Sequence, residues 1–234
     1  MNKTLLSLLV CPVCKRKLSF IKKLGFRCKK CRKKFYLKHG IPVLVDVETF
    51  SPHQFSQIRY FQRESSTYTS EPERKPWQLK YAGIFFNCLG KCKGKVIVDN
   101  ACGSGYMAIE AVKRGAKVEA CDLNISGLIR LKKIIDKLGY ANRVLLICCS
   151  AEQLPICRNC ANDIVANAIL EHLSRENEAI FDISRIARKN AIAMITVRIA
   201  YHLLNPIFLL MNYIYDRKIG HLRRYTIENL SSLF

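Results

Sequence analysis

Between Lys95 and Val197 short apolar runs alternate with segments whose apolar residues recur at helical spacing. Val96-Ile97-Val98 runs into Asp99, small residues follow through Gly105, and Tyr106 to Arg114 reads as a helix. Lys117 to Cys121 is a second strand ending at Asp122, and Ile125 to Leu138 is an amphipathic helix stopped by Gly139. Val144 to Cys149, Asp163 to Asn167 and Ala191 to Val197 read as the third, fourth and fifth strands. Ser174 to Arg188 is the helix between the last two, with Ser174 as its expected N-cap. Strand alternating with helix predicts an α/β fold, a Rossmann-like, doubly wound and mostly parallel sheet.

Ahead of this unit the pattern is shorter. Leu18 to Lys22 and Gly25 to Arg27 read as the arms of a hairpin, within a first unit of residues 1–48. Residues 49–90 join it to the α/β unit, 91–234, through a polar, Pro-punctuated loop from Glu64 to Pro76. Trp77 to Leu89 carries apolar residues at helical spacing. Trp77 is expected to pack in the core, the alternative being a lid over a ligand. No internal repeat is visible.

Half of the 234 residues are hydrophobic, enough for a sizeable core and far from a disordered composition. The formal charge of +21 argues for a polyanionic partner or an acidic membrane surface. From Met1 to Val45 there are 13 Lys and Arg and no acid, and Phe20, Phe26, Phe35 and Tyr36 interleave with them. Such a face suits RNA, and it equally suits a solvated surface around a small aromatic core. The apolar stretch from Leu5 to Val10 is too short for a secretory signal and leads into a cysteine pair. No stretch reaches the length of a membrane span, since Ile199 to Tyr215 is broken by His202, Asn205, Pro206 and Asn212. Twelve cysteines with no secreted disulfide framework predict a reducing, cytoplasmic setting.

The residues after the first strand carry the chemistry. A strand, a tight loop of tiny residues and a helix N-terminus let backbone N–H groups approach a nucleotide-like ligand. Asp122, 17 residues beyond Gly105, is placed to accept from a ribose diol. Gly103-Ser104-Gly105-Tyr106-Met107-Ala108 also satisfies the weaker dinucleotide pattern. Asp99 closing the first strand, and Asn162 to His172 around the fourth, favour another reading. Here the chain resembles the class I S-adenosylmethionine-dependent methyltransferases, with a type 11-like domain, whose first motif reads acid-x-Gly-x-Gly-x-Gly. The resemblance implies that Asp99, Ala101, Gly103 and Gly105 line the methionine moiety and that Asp122 and Leu123 hold the ribose. It implies that Ala151 and Glu152, after Ser150, contact the adenine, and that Asn167 faces the sulfonium and acceptor. Ala101 stands where the family has glycine, and Ser150 where it commonly has an acid. His221-Leu222-Arg223-Arg224-Tyr225-Thr226 resembles the stretch that opens the last helix of many small-molecule methyltransferases. The family completes its sheet with two further strands; here the sequence stops at Phe234, so either it is truncated or the sheet ends at five strands with an edge to be covered. Glu171 and His172 are the candidate general bases where the acceptor needs one.

Cys11-Pro12-Val13-Cys14 and Cys28-Lys29-Lys30-Cys31 are two knuckles separated by 13 residues, the spacing of a zinc ribbon that offers four thiolates to one Zn2+. Leu5 to Cys14, Phe35 and Gly40 to Leu44 resemble the short ribbon family that includes the small activator subunit of tRNA and protein methyltransferases. Cys157-x-x-Cys160 lacks two further ligands nearby and reads as chance. Three functions compete: a methyltransferase on RNA presented by the basic ribbon, slightly favoured by charge; one on a small or lipid-like acceptor, for which 202–215 forms the pocket or touches a membrane; and a non-catalytic zinc-binding partner.

Overall fold

The computed structural model describes residues 2–21, 25–66, 76–200 and 206–234. Most of the expected loop from Glu64 to Pro76, together with Lys22, Lys23 and His202, lies outside them. The parallel strands are β5 (Val96–Asn100), β6 (Lys117–Asp122), β7 (Val144–Cys148), β8 (Ala161–Asn167) and β9 (Ala187–Thr196). They lie in the order β7-β6-β5-β8-β9, so the chain leaves β5 for one side and returns to build the other. That reversal opens a crevice beyond the carboxyl ends of β5 and β8.

Successive strand residues serve opposite faces, as a period of two requires. Ile97, Val118, Leu146 and Val165 bury one face against α3 (Pro76–Leu89), α4 (Tyr106–Lys113) and α5 (Ile125–Lys137). Helix α5 starts on Asn124, whose side chain accepts from the backbone N–H groups of Ser126 and Gly127.

Val98, Cys121, Leu145 and Ile164 bury the other face against a different cover. Part of it is α6 (Glu176–Ile186), before which Arg175, not Ser174, is the cap residue, and no side chain caps the helix. Ser174 instead meets Ser51 with its hydroxyl at 3.3 Å, and Glu176 and Glu178 in the first turn complement the positive end of the helix dipole.

The remaining cover is the N-terminal unit. After α1 (Lys3–Leu6), β1 (Leu18–Ile21), β2 (Gly25–Cys28), β3 (Lys34–Lys38) and β4 (Ile41–Val43) form an antiparallel meander. Strand β4 then lies parallel to β7, with Val43 opposite Cys148 and the Leu44 N–H donating to the Cys148 carbonyl at 2.8 Å. Among the described residues one sheet of nine strands results. Leu5, Leu9, Phe26, Phe35 and Leu44 are buried in the same core as the strands. Lys15 also reaches from this unit to the Asp182 carboxylate at 2.7 Å. One edge of the parallel sheet is thus closed by β4, while β9 forms the other.

Between the units lies an element the sequence pattern did not suggest, α2 (Pro52–Ser66). Two helices follow β9: α7 (Pro206–Ile219) and α8 (Ile227–Ser231), the latter capped by the Thr226 hydroxyl. Among the described residues no helix is long and apolar enough to cross a membrane.

Candidate active site

The loop after β5 makes three left-handed turns in five residues: φ is +63° at Ala101, +51° at Gly103 and +78° at Gly105. A side chain in that region costs about 1–2 kcal/mol, which is why glycine is usual at position 101 and why alanine there carries strain. The two glycines do different work. A Cβ on Gly103 would meet nothing within 4 Å, so its face is open; one on Gly105 would lie 2.3 Å from Cδ1 of Leu131. Gly105 therefore lets α4 start against α5, and Gly103 leaves room for a ligand.

That room is a cavity of about 630 Å3, walled by the Ala101–Ser104 loop, Asp122 and Leu123 after β6, and Ser150 and Ala151 after β7. Asn167 after β8 completes this side, its amide held between the Tyr106 hydroxyl (2.9 Å) and the Thr196 hydroxyl (2.7 Å). The Asp122 carboxylate already accepts from the N–H groups of Gly103 at 2.8 Å and Asn124 at 2.7 Å and keeps further lone-pair capacity for a ligand. Burial pushes its pKa up.

Three of the residues expected at the donor do not reach the cavity wall. Asp99 is 2% exposed beneath the start of α4, and burial pushes its carboxyl up to about 7 against the pull of the Ala108 N–H. Glu152 accepts from Gln54 Nε2 at 2.9 Å and from Arg175 through both backbone and guanidinium, tying α2 to the turn before α6. Gly105, as its contact with Leu131 shows, acts in packing.

The opposite wall comes from elements that sequence pattern alone did not connect. Helix α2 contributes Gln57, Ile58, Tyr60 and Phe61, and α7 contributes Tyr215 and Ile219. Trp77, expected in the core, is 51% exposed and stands at the rim, edge-on to Tyr106. Its helix turns the Ala82–Phe85–Phe86–Leu89 side inward, which leaves the first turn free to border the cavity.

Glu171 and His172 sit on a 3-10 turn, Leu170–His172, and both face the cavity. Glu171 is fully buried with no side chain bonded to either carboxylate oxygen, and burial raises its pKa against the pull of nearby backbone N–H groups and of Arg198. His172 is pushed down to about 3 by burial, with His221 and His53 adding repulsion, so its ring is neutral.

In the N-terminal unit the sulfurs of Cys11, Cys14, Cys28 and Cys31 converge within 4.8 Å of one another. Cys11 lies 3.5 Å from Cys31, and Cys14 lies 3.4 Å from Cys28. Thiolates at about 2.3 Å from one tetrahedral ion stand roughly 3.8 Å apart, so donor set and spacing fit such an ion. Cys157 and Cys160, read as chance, lie with their sulfurs against each other, away from the four-cysteine cluster.

Residues 97–190 match the family described as a methyltransferase domain. Those residues form a methyltransferase domain, and the α/β unit around them has the Rossmann-like fold of such domains. No curated protein matches the chain in sequence. Among solved structures, a Bacillus halodurans protein described as a methyltransferase is 18% identical at a TM-score of 0.58, covering 66% of each chain. Geranyl diphosphate C-methyltransferase from Streptomyces coelicolor, solved with Mg2+, geranyl diphosphate and S-adenosyl-L-homocysteine, is 14% identical at 0.58, covering 73% of this chain and 77% of that one. The [4+2]-cyclase SpnF is 18% identical at 0.54, covering 71% and 66%. The methyltransferase domain shares its fold with both chemistries, so the acceptor has to be argued from the cavity.

Proposed function

We propose that the methyltransferase domain binds S-adenosylmethionine over the Ala101–Ser104 loop and transfers its methyl group to a small acceptor seated beneath α2 and α7. The observation that carries this is the open face of Gly103, bordered by Asp122 and Leu123, in a cavity whose far wall is aromatic and closed over by a helix. Bound there, the donor supplies an electrophilic methyl carbon. The residues contribute positioning and dryness: Asn167 and Tyr106 fix the floor, while Phe61, Trp77 and Tyr215 exclude water from the line of displacement. The exposed apolar residues of α7, among them Ile207, Leu210, Met211 and Ile214, suit delivery of a lipid-like acceptor from a membrane surface.

A second reading, an RNA acceptor, draws on the ribbon. Arg27, Lys29, Lys30 and Arg32 are exposed, and of the four rings interleaved with them Phe20 and Tyr36 are exposed while Phe26 and Phe35 form the core. We assign the four-cysteine cluster to Zn2+, with stabilising the ribbon as its role, and the protein to the cytoplasm, where thiols persist.

Calorimetry with S-adenosylhomocysteine tests the donor site. Micromolar binding is expected, weakened at least tenfold by Gly103→Val; no binding to a folded chain removes the enzymatic reading. Transfer of a labelled methyl group to fractionated lipid, small-molecule and RNA pools tests the acceptor. Label confined to RNA would replace the small-molecule reading with the second one.

A further inference from the structure

Three side chains at the acceptor end of the cavity are arranged for something beyond acid–base work. Glu171, His172 and His221 each place a donor atom within 4.8 Å of the other two. Glu171 is 0% exposed and neither of its oxygens has a side-chain partner, a costly state for a carboxylate. The two rings are held from behind. His172 Nδ1 lies 2.9 Å from Gln57 Oε1, and His221 Nδ1 lies 2.7 Å from the Asp216 carboxylate, which Arg224 also holds at 2.7 Å. With Nδ1 engaged by an oxygen acceptor, Nε2 of each ring is the nitrogen left for a ligand. Metal-binding histidines are oriented in this way. Arg198 is the nearby opposing charge, and its guanidinium is turned to the Tyr215 hydroxyl at 2.9 Å and to that residue's ring.

We propose that Glu171, His172 and His221 bind a divalent cation whose open positions take the hydroxyl of the methyl acceptor, making this an oxygen-directed methyltransferase. The inference rests on the donor site proposed above. Two imidazoles and one carboxylate leave about three positions free on a six-coordinate ion. Neighbouring donors on one ion stand roughly 3 Å apart, so a small inward movement of these side chains completes the set. A hydroxyl bound to the cation gives up its proton to solvent far more readily than a free one. Its oxygen lone pair then forms the O–C bond with the donor's methyl group. The C–S bond breaks with its electron pair remaining on sulfur, leaving a methyl ether and a neutral thioether. No oxidant or reductant enters.

Titration of the full chain with Mn2+, followed by electron paramagnetic resonance, tests the site with the ribbon loaded with zinc; Mn2+ prefers oxygen and nitrogen donors and does not compete for the thiolates. One Mn2+ per chain is expected, weakened at least tenfold by Glu171→Gln and by His221→Gln. Thermal melting checks that both variants fold, and the isosteric Glu171→Gln decides alone if the histidine variant does not. No Mn2+ bound by a wild-type chain that still binds S-adenosylhomocysteine overturns the metal site and leaves the donor site standing. Mn2+ held equally by wild type and Glu171→Gln puts the ion elsewhere and overturns the assignment. Mn2+ bound with no affinity for S-adenosylhomocysteine keeps the metal site and removes the methyl transfer built on it.

Discussion

The two faces of the parallel sheet are covered by different means. One is sealed by α3, α4 and α5, regular helices that present an apolar stripe to Ile97, Val118 and Leu146. The other is sealed by one helix, α6, and by a ribbon whose few large apolar residues converge on four cysteines. The first cover is stabilised by buried area spread over many contacts. The second concentrates its stability in one cluster and in the packing of Leu5, Leu9, Phe26 and Phe35 onto the strands.

The sharpest way to break the comparison is to remove the cysteine cluster. Cys28→Ser, or a strong chelator, is expected to lower stability by at least ~5 kcal/mol and to expose the ribbon-covered face, read as a lower melting midpoint and new dye binding. An unchanged melt would mean that both covers rest on apolar packing alone.

On the helical face the matching test is Gly105→Ala. A left-handed side chain costs about 1–2 kcal/mol and forcing it against Leu131 about 1–3 more. Denaturant unfolding should show the sum, and Leu131→Ala in the same chain should return the steric part. Additive losses in the double variant would remove the clash from the explanation.

A smaller effect distinguishes the faces by pH. Glu119 shares the ribbon-covered side of β6 with Cys121, is fully buried, and finds no partner for either oxygen. Burial lifts its pKa from 4.5 to about 8. Between those values the folded chain keeps a proton that the unfolded chain has released, so stability falls as pH rises through this window. Glu119→Gln should flatten that fall, the gap reaching about 4 kcal/mol near pH 8. Parallel stability–pH curves for parent and variant would show that the carboxyl is solvated.

The same contrast decides what could be read from the residues alone. Strands β5 to β8 and helices α4 and α5 were legible within a residue or two, because their apolar periodicity is what buries them. β9 began four residues before the expected Ala191. Helix α2 was not legible: the residues it buries include Gln54, Gln57 and Ser65, and its aromatic side faces the cavity, so no apolar stripe marks it. The junction of β4 with β7 joins residues far apart in the chain, and no local pattern records such a pairing. At the site, the glycine-poor loop, Asp122 and Asn167 were visible as a motif. His221 was noted only as part of a resemblance. Its convergence with Glu171 and His172 depends on where α7 returns the chain, which spacing does not encode.

Val43 meets Cys148 across 105 positions of sequence. A ribosome adding roughly 5–20 residues per second delivers the second partner about 5–20 s after the first. During synthesis the amino-terminal hairpins thus wait with their apolar undersides bare, and a metal captured early by Cys11, Cys14, Cys28 and Cys31 would hold their shape until the strand that completes them arrives.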